Sequence, residues 1–245
     1  FFEDLPAASY RIRELQPSGV TDGEEQLGSL GGTVVANDVM QLSVLDEDAA
    51  HYNFAEHGQQ VTSGDTASIG FWQNRHGQEL IASGGTQLAD WLTATFDHIL
   101  GNALAGSSGA DVAAFYKNEL FKQKGAKSSG PAKVDAEFMA VALATFFTSR
   151  NLAGEIAVQY GFTVTDTGIA TKIVNVGADG AAFGVNDDTN LTILQLLLAT
   201  NEMTDVCNQQ LGFAAIYDQD GNGVIDATES ALRTSAHRVF SSING

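Results

Sequence analysis

The sequence predicts an α+β protein: a partial β-sandwich segment over residues 1–57, a polar connection over 58–66, and an α-rich region over 67–245 holding a small β-hairpin and one cation-binding loop. Three observations predict it. The first quarter alternates apolar and polar residues between glycine-rich turns, the signature of short strands. Most of the remainder repeats apolar residues at helical spacing. Residues 218–229 carry side-chain oxygens at alternate positions around a glycine, a pattern suited to wrapping a hard cation.

In the first segment Tyr10 to Leu15 alternates, Thr33-Val34-Val35 and Met40 to Leu45 follow turn signals, and Tyr52-Asn53-Phe54 closes the run. Gly19, Asp22-Gly23, Gly28 and Gly31-Gly32 read as the turns between strands. This is sandwich material, too short to close a sandwich alone.

The stretch Phe2-Glu3-Asp4-Leu5, then Tyr10-Arg11-Ile12-Arg13-Glu14-Leu15-Gln16-Pro17-Ser18-Gly19, resembles the SdrD B-like, Cna-B-type domains of bacterial surface proteins. Asp22-Gly23, Leu27-Gly28, Gly31-Gly32, Asn37-Asp38 and the ending Tyr52-Asn53-Phe54-Ala55-Glu56 continue the likeness. The resemblance implies an Ig-like sandwich of which this chain carries the C-terminal part, since such domains begin several strands earlier. In related pilin-type domains a glutamate at the position of Glu14 promotes a Lys–Asn isopeptide bond. Residues 1–57 hold no lysine, so that bond cannot form within them, and Glu14 reads as a structural strand residue.

In the α-rich region Leu88, Leu92, Phe96, Ile99 and Ala103 mark one amphipathic helix, and Val112, Phe115, Tyr116 and Leu120 another. Gly106 to Gly109 and Gly125 to Ala132 are the expected loops. Asp135 is expected to cap a helix running to about Phe147, apolar nearly all round and hence central. Phe162 to Thr165 and Thr171 to Val176 read as a hairpin turning at Asp166-Thr167-Gly168. Asn186 to Asn190 reads as the N-cap of a Leu-rich helix from about Leu191 to Met203. Ser68-Ile69-Gly70-Phe71-Trp72-Gln73-Asn74-Arg75-His76-Gly77-Gln78-Glu79-Leu80-Ile81 resembles the opening of a C-terminal domain found at the ends of large secreted bacterial proteins. Tyr160 to Val164, Gly180 to Val185 and Arg233 to Asn244 are similar to its later parts. That likeness implies architecture and an extracellular location, and no activity.

The loop Asp218 to Glu229 fits the EF-hand calcium pattern at each defining position. Asp218, Asp220 and Asn222 supply side-chain oxygens and Gly223 permits the sharp turn. Val224 offers its carbonyl, Asp226 acts through a water, and Glu229 closes the set as a bidentate carboxylate. Ile225 is the apolar pin of the loop. Phe213, Ile216 and Tyr217 precede it, and Leu232, Ala236, Val239, Phe240 and Ile243 follow at helical spacing. One departure is Ser230, where a large apolar residue is usual. No second complete loop accompanies it, so Ca2+ here is expected to staple rather than signal.

With 30 acidic against 12 basic residues the formal net charge is −18, which repels phosphate backbones and anionic lipid surfaces. No nucleic-acid partner is expected. The strongly apolar stretch Ile193 to Ala199 is too short to cross a bilayer, so no membrane insertion is expected either. Cys207, the single cysteine, excludes an internal disulfide and a thiolate zinc cluster and reads as a buried thiol. The opening at Phe1 shows no signal-peptide pattern and reads as a piece of a longer precursor.

For catalysis the densest group is Trp72, Asn74, Arg75, His76 and Glu79, where His76 would be a general base oriented by Glu79. Set against it, Phe71 and Trp72 enter the core while Asn74, His76 and Gly77 make a hydrogen-bonded turn. The five histidines, His51, His57, His76, His98 and His237, show no metal spacing, and no nucleophile elbow or phosphate loop occurs. The expectation is a non-enzyme: a calcium-stabilised structural module of a secreted or cell-surface bacterial protein, acting in adhesion, extracellular matrix or a self-assembling fibre. Its partners would be further copies of itself or another fragment of the same precursor, joined by strand complementation. The alternatives are a calcium-dependent docking or glycan-binding module, and a hydrolase using His76 and Glu79.

Overall fold

The computed structural model describes residues 5–15, 20–45, 48–122, 131, 133–205 and 215–245. The chain is α+β, in two compact units, Phe1–Gln59 and Gln60–Gly245. Cys207 and Phe213 lie outside the described residues.

Among the described residues the regular elements of the first unit are all strands. β1 (Ala8–Arg13), β4 (Val39–Val44) and β3 (Thr33–Ala36) form an antiparallel sheet in the order β1-β4-β3, and β2 (Val20–Gln26) pairs antiparallel with β5 (Asn53–Gly58). The register sets Tyr10 against Leu42 and Ile12 against Met40, so alternation directs these four to one face. Met40 and Leu42 are the buried apolar residues of this unit among those described, whereas all four residues of β3 are exposed. One reading is corrected here. Asp22-Gly23 is not a turn; it lies within β2, at an irregularity in the pairing with β5. A Cβ on Gly23 would come within 2.5 Å of the Ala55 carbonyl oxygen, so the glycine serves close strand approach.

The second unit is built around α6 (Val134–Thr148), every residue of which is buried. Its apolar character on all sides demands cover on all sides. Before it come α1 (Ile69–Gln73), α2 (Arg75–Ser83), α3 (Gly85–Thr95), α4 (Asp97–Leu100) and α5 (Gly109–Phe115), the last continuing as a π-helical turn over Tyr116–Phe121. After it come α7 (Arg150–Ala153), 3₁₀ segments at Ile156–Tyr160 and Gly177–Phe183, β6 (Ile173–Asn175), β7 (Asn190–Thr192), α8 (Ile193–Glu202) and α9 (Ala227–Asn244). A connected set of rings fills the interior. Phe147 stacks on Trp72, Phe138 meets Phe96 and Phe240 edge-on, and Phe183 meets Phe240. Among the described residues no helix is long and apolar enough to cross a membrane.

Several local expectations change. Trp72 enters the core and Asn74 accepts the Gly77 amide at 3.1 Å as expected, but the turn is the N-cap of α2 between two helices. The helix expected through Ala103 breaks at Phe96, whose φ/ψ leave the helical region. No hairpin turns at Asp166-Thr167-Gly168; β6 pairs instead with β7, and Thr165 makes a bridge to Ser149. Asn186 to Asn190 does not cap α8; Thr192 does, in a capping box with Gln195. Asp135 does not cap α6 either. It sits inside the first turn, after Lys133, and its carboxylate is spent on a distant arginine.

Within the stretch 58–66, Gly58 ends β5, while the buried Asp65 accepts the Lys172 ammonium at 2.6 Å and the Thr62 amide. Thr66 donates its hydroxyl to the Ile243 carbonyl at 2.7 Å, fixing the last turn of α9.

Candidate metal centre

The loop 218–229 joins two firmly held ends. On the entering side both backbone groups of Ile216 are engaged: its amide donates to Asp135 Oδ1 at 2.9 Å, and its carbonyl accepts Arg233 Nη1 at 2.7 Å. Tyr217 follows in the left-handed region, at φ 63°, a conformation a bulky side chain adopts only when its surroundings over-determine it. Here they do. Its amide donates to Thr204 Oγ1 at 3.0 Å, its buried hydroxyl donates to the Ala182 carbonyl at 2.8 Å, and burial pushes its phenol well above the ordinary range. Asp218 then accepts the Asp205 amide on its carbonyl at 2.8 Å. Its side chain is fully buried.

Inside the loop, Asp218 Oδ2 accepts the Gly223 amide at 2.9 Å across the turn, and Gly223 takes φ 76°, where a side chain would be strained. Asp220 accepts from the Asn222 amide and side chain, and Asn222 Oδ1 accepts the Val224 amide at 2.6 Å. On the leaving side Asp226 caps α9, accepting the Thr228 and Glu229 amides at 2.7 and 2.9 Å. Glu229 completes the capping box through the Asp226 amide and reaches back to the Gln219 amide, both at 2.8 Å. Ile225 is buried beneath the loop, while the Val224 side chain is exposed.

The structure thus brings together Asp218, Asp220 and Glu229, whose ligand oxygens all lie within 4.8 Å of one another. Asp226 stands outside this group, at the helix cap. At that limiting separation two carboxylate charges repel by about 3.5 kcal/mol at an effective dielectric of about 20. Two of the three, Asp218 and Glu229, are buried, which removes the water that would screen them. A divalent cation with a preference for oxygen ligands fits this donor set.

Among the described residues three other groupings stand out. In the first unit, oxygens of Glu14, Asp38 and Glu56 converge within the same limit, as do those of Asp22, Glu25 and Asp38. Desolvation, and then Glu56, Asp38 and Asp22, raise the Glu14 carboxyl; desolvation and Asp38 raise Asp22. Around α2, Arg75 Nε pairs with Glu79 Oε1 at 2.8 Å, while His76 Nδ1 lies 3.7 Å from Glu79 Oε2. The hydrogen bond from Arg75 holds the Glu79 carboxyl below its usual range. The side chains of Arg75 and His76 are 86% and 70% exposed, so this cluster stands on the surface of a helix and gives a general base no enclosed pocket.

Sequence reading missed Asp135, Arg233 and Thr204, the residues that hold the entrance of the loop. Arg233 carried one usable signal: it follows Glu229 by four positions and so lies on the same face of α9. The chain matches no protein-family model, no curated protein and no solved structure.

Proposed function

We propose that this chain is a calcium-stabilised structural module of a secreted or cell-surface bacterial protein, in which an EF-hand-type loop staples α9 to the core. The observation that carries the reading is the convergence of Asp218, Asp220 and Glu229 within 4.8 Å in a loop with the full twelve-residue EF-hand pattern. Asn222, the Val224 carbonyl and Asp226, through a water, complete the proposed ligand set. A lone extracellular loop of this kind binds with a dissociation constant on the order of 10⁻⁴ to 10⁻³ M, so it fills outside cells and empties inside them.

The first unit supports a second part of the same reading, assembly by strand addition in an adhesive, matrix or fibre-forming role. Among the described residues the two buried apolar side chains, Met40 and Leu42, contribute about 1.5–3 kcal/mol each, against an ordering cost of about 1–2 kcal/mol for every residue fixed. Further polypeptide is needed to cover the exposed Val34, Val35 and Leu45. Among the described residues the outer edges of β1 and β3 have no strand partner, the template that an added strand uses. The Cna-B-type resemblance of this segment agrees with a sandwich completed by another copy or by a separate fragment of the precursor.

Calorimetry of the full chain with Ca2+ tests the metal, and Glu229→Gln is the decisive variant: an unaltered isotherm contradicts the ligand set. Sedimentation and particle imaging at native concentration test assembly. Monomers alone, with β1 and β3 protected against hydrogen exchange, would remove the strand-addition part.

A further inference from the structure

The first and last carboxylates of the proposed calcium site lie on different elements. Asp218 ends the entering segment, and Glu229 belongs to the first turn of α9. Their separation is therefore not set by the loop alone. Besides the Glu229 bond to the Gln219 amide, a buried ion pair bears on it. Arg233, one helical turn beyond Glu229 on the same face of α9, donates Nη1 to Asp135 Oδ1 at 3.1 Å and Nη2 to Asp135 Oδ2 at 2.7 Å. Both side chains are 1% exposed. The same guanidinium donates to the Ile216 carbonyl, and the same carboxylate accepts the Ile216 amide, two residues before Asp218. One pair thus ties three bodies together at one point: the central helix α6, the segment carrying the first ligand, and the helix carrying the last.

Resting on the calcium reading above, we infer that Asp135 and Arg233 are positioning residues for the cation, fixing Asp218 and Glu229 before it arrives. The physical reason is that crowding carboxylates is unfavourable without the ion. Left unheld, Asp218 and Glu229 would separate, and the ion would have to supply the free energy of drawing them together. A scaffold that already holds them passes that free energy into affinity. Arginine suits the task because its planar fork meets Asp135 with two donors and still reaches a backbone carbonyl. Partners of this outer kind typically change metal affinity 10- to 100-fold when removed.

The test uses the full chain and Tb3+ as a luminescent stand-in for Ca2+, with lifetimes in H2O and D2O counting the waters on the bound ion. Wild type is expected to bind Tb3+ saturably and release it to Ca2+. Asp135→Asn and Arg233→Lys, measured below their own unfolding midpoints, are expected to bind about 10- to 100-fold more weakly, with more bound water. The control is Asp179→Asn, which removes another carboxylate–arginine pair anchoring α9, one whose carboxylate bonds Arg238 and not the Ile216 backbone. It is expected to lower the unfolding temperature and leave Tb3+ affinity and hydration unchanged.

Folded Asp135→Asn and Arg233→Lys variants with wild-type affinity overturn the inference, and so does an equal loss in Asp179→Asn. Should both variants fail to fold, wild type alone decides: added Ca2+ must slow hydrogen exchange at the Ile216 amide, and no change there overturns the coupling. Absence of any saturable Tb3+ or Ca2+ binding by wild type refutes the calcium reading itself.

Discussion

Removing the closing carboxylate of the loop has a calculable consequence. In Glu229→Gln two effects oppose each other in the metal-free chain. The carboxylate accepts the Gln219 and Asp226 amides, each at 2.8 Å, and an amide offers one carbonyl oxygen where the carboxylate offers two. Losing one bond to a charged acceptor costs about 1.5–3 kcal/mol. Removing the charge relieves repulsion from Asp218 and Asp220, about 3.5 kcal/mol for each pair at 4.8 Å with a dielectric of about 20, less where solvent reaches Asp220. On these magnitudes the relief is at least as large as the cost, so the metal-free variant should be no less stable than metal-free wild type.

With Ca2+ they part. At about 10 mM free Ca2+ and a dissociation constant of about 10⁻⁴ to 10⁻³ M, linkage stabilises wild type by about 1.4–2.7 kcal/mol. For a unit of this size that raises the unfolding temperature by about 3 to 10 °C. Differential scanning calorimetry in Ca2+ against EDTA should show this rise in wild type and its disappearance in Glu229→Gln. A variant that keeps the full rise would refute the assignment of Glu229, and a wild type without one would refute the stapling role.

Three more expectations follow from particular groups. The Arg238 pairing holds the Asp179 carboxyl below its usual value of 3.8, so its contribution is present above the unfolded value and lost as pH falls through the folded one. Thermal melts of wild type should thus converge with those of Asp179→Asn in strong acid and exceed them at neutral pH. Glu14 behaves with the opposite sign: desolvation and Glu56 raise its carboxyl above 4.5, so its contribution to the first unit is most favourable below that value and is lost as pH rises through the folded value. Glu14→Gln should slow hydrogen exchange of the β1–β4 amides at neutral pH and have no effect in acid. Lysines at the exposed edge positions, in Val34→Lys with Val35→Lys, should reduce self-association measured by sedimentation while leaving the Ca2+-dependent melting shift intact.

The contrast between legible and illegible parts follows the range of the interactions. The carboxylates of the loop were readable because a twelve-residue pattern states its own geometry: alternation aims Asp218 and Asp220 inward, Gly223 turns, and Glu229 returns on the helix. The core position of α6 was readable because an unbroken apolar run must be covered on every side. Asp135 was misread because an acidic residue ahead of an apolar run carries the local signature of a cap. Its partner Arg233 stands 98 positions away. The expected hairpin failed for the same reason. Thr163 to Thr165 has strand-like chemistry, yet its amides bond to Gly64 and Thr148, and β6 finds β7 across the 3₁₀ segment at Gly177–Phe183. At 68–79 a run of polar residues hid two helices whose buried faces, at Trp72, Leu80 and Ile81, show only once the two are divided at Asn74.

The sequence by itself determined the α+β character, the acidic balance of charge, the strands β1 and β4, and the chemical type of each oxygen in the loop. These depend on period, composition and spacing over a dozen residues or fewer. Only the tertiary structure decided which side chains hold the loop in place, that Glu79 pairs with Arg75 on an open surface, and that Asp135 and Arg233 meet at the backbone of Ile216. Such choices are made when distant segments are packed together and each buried polar group must find a partner. Local sequence gives the need for a partner, and packing selects it.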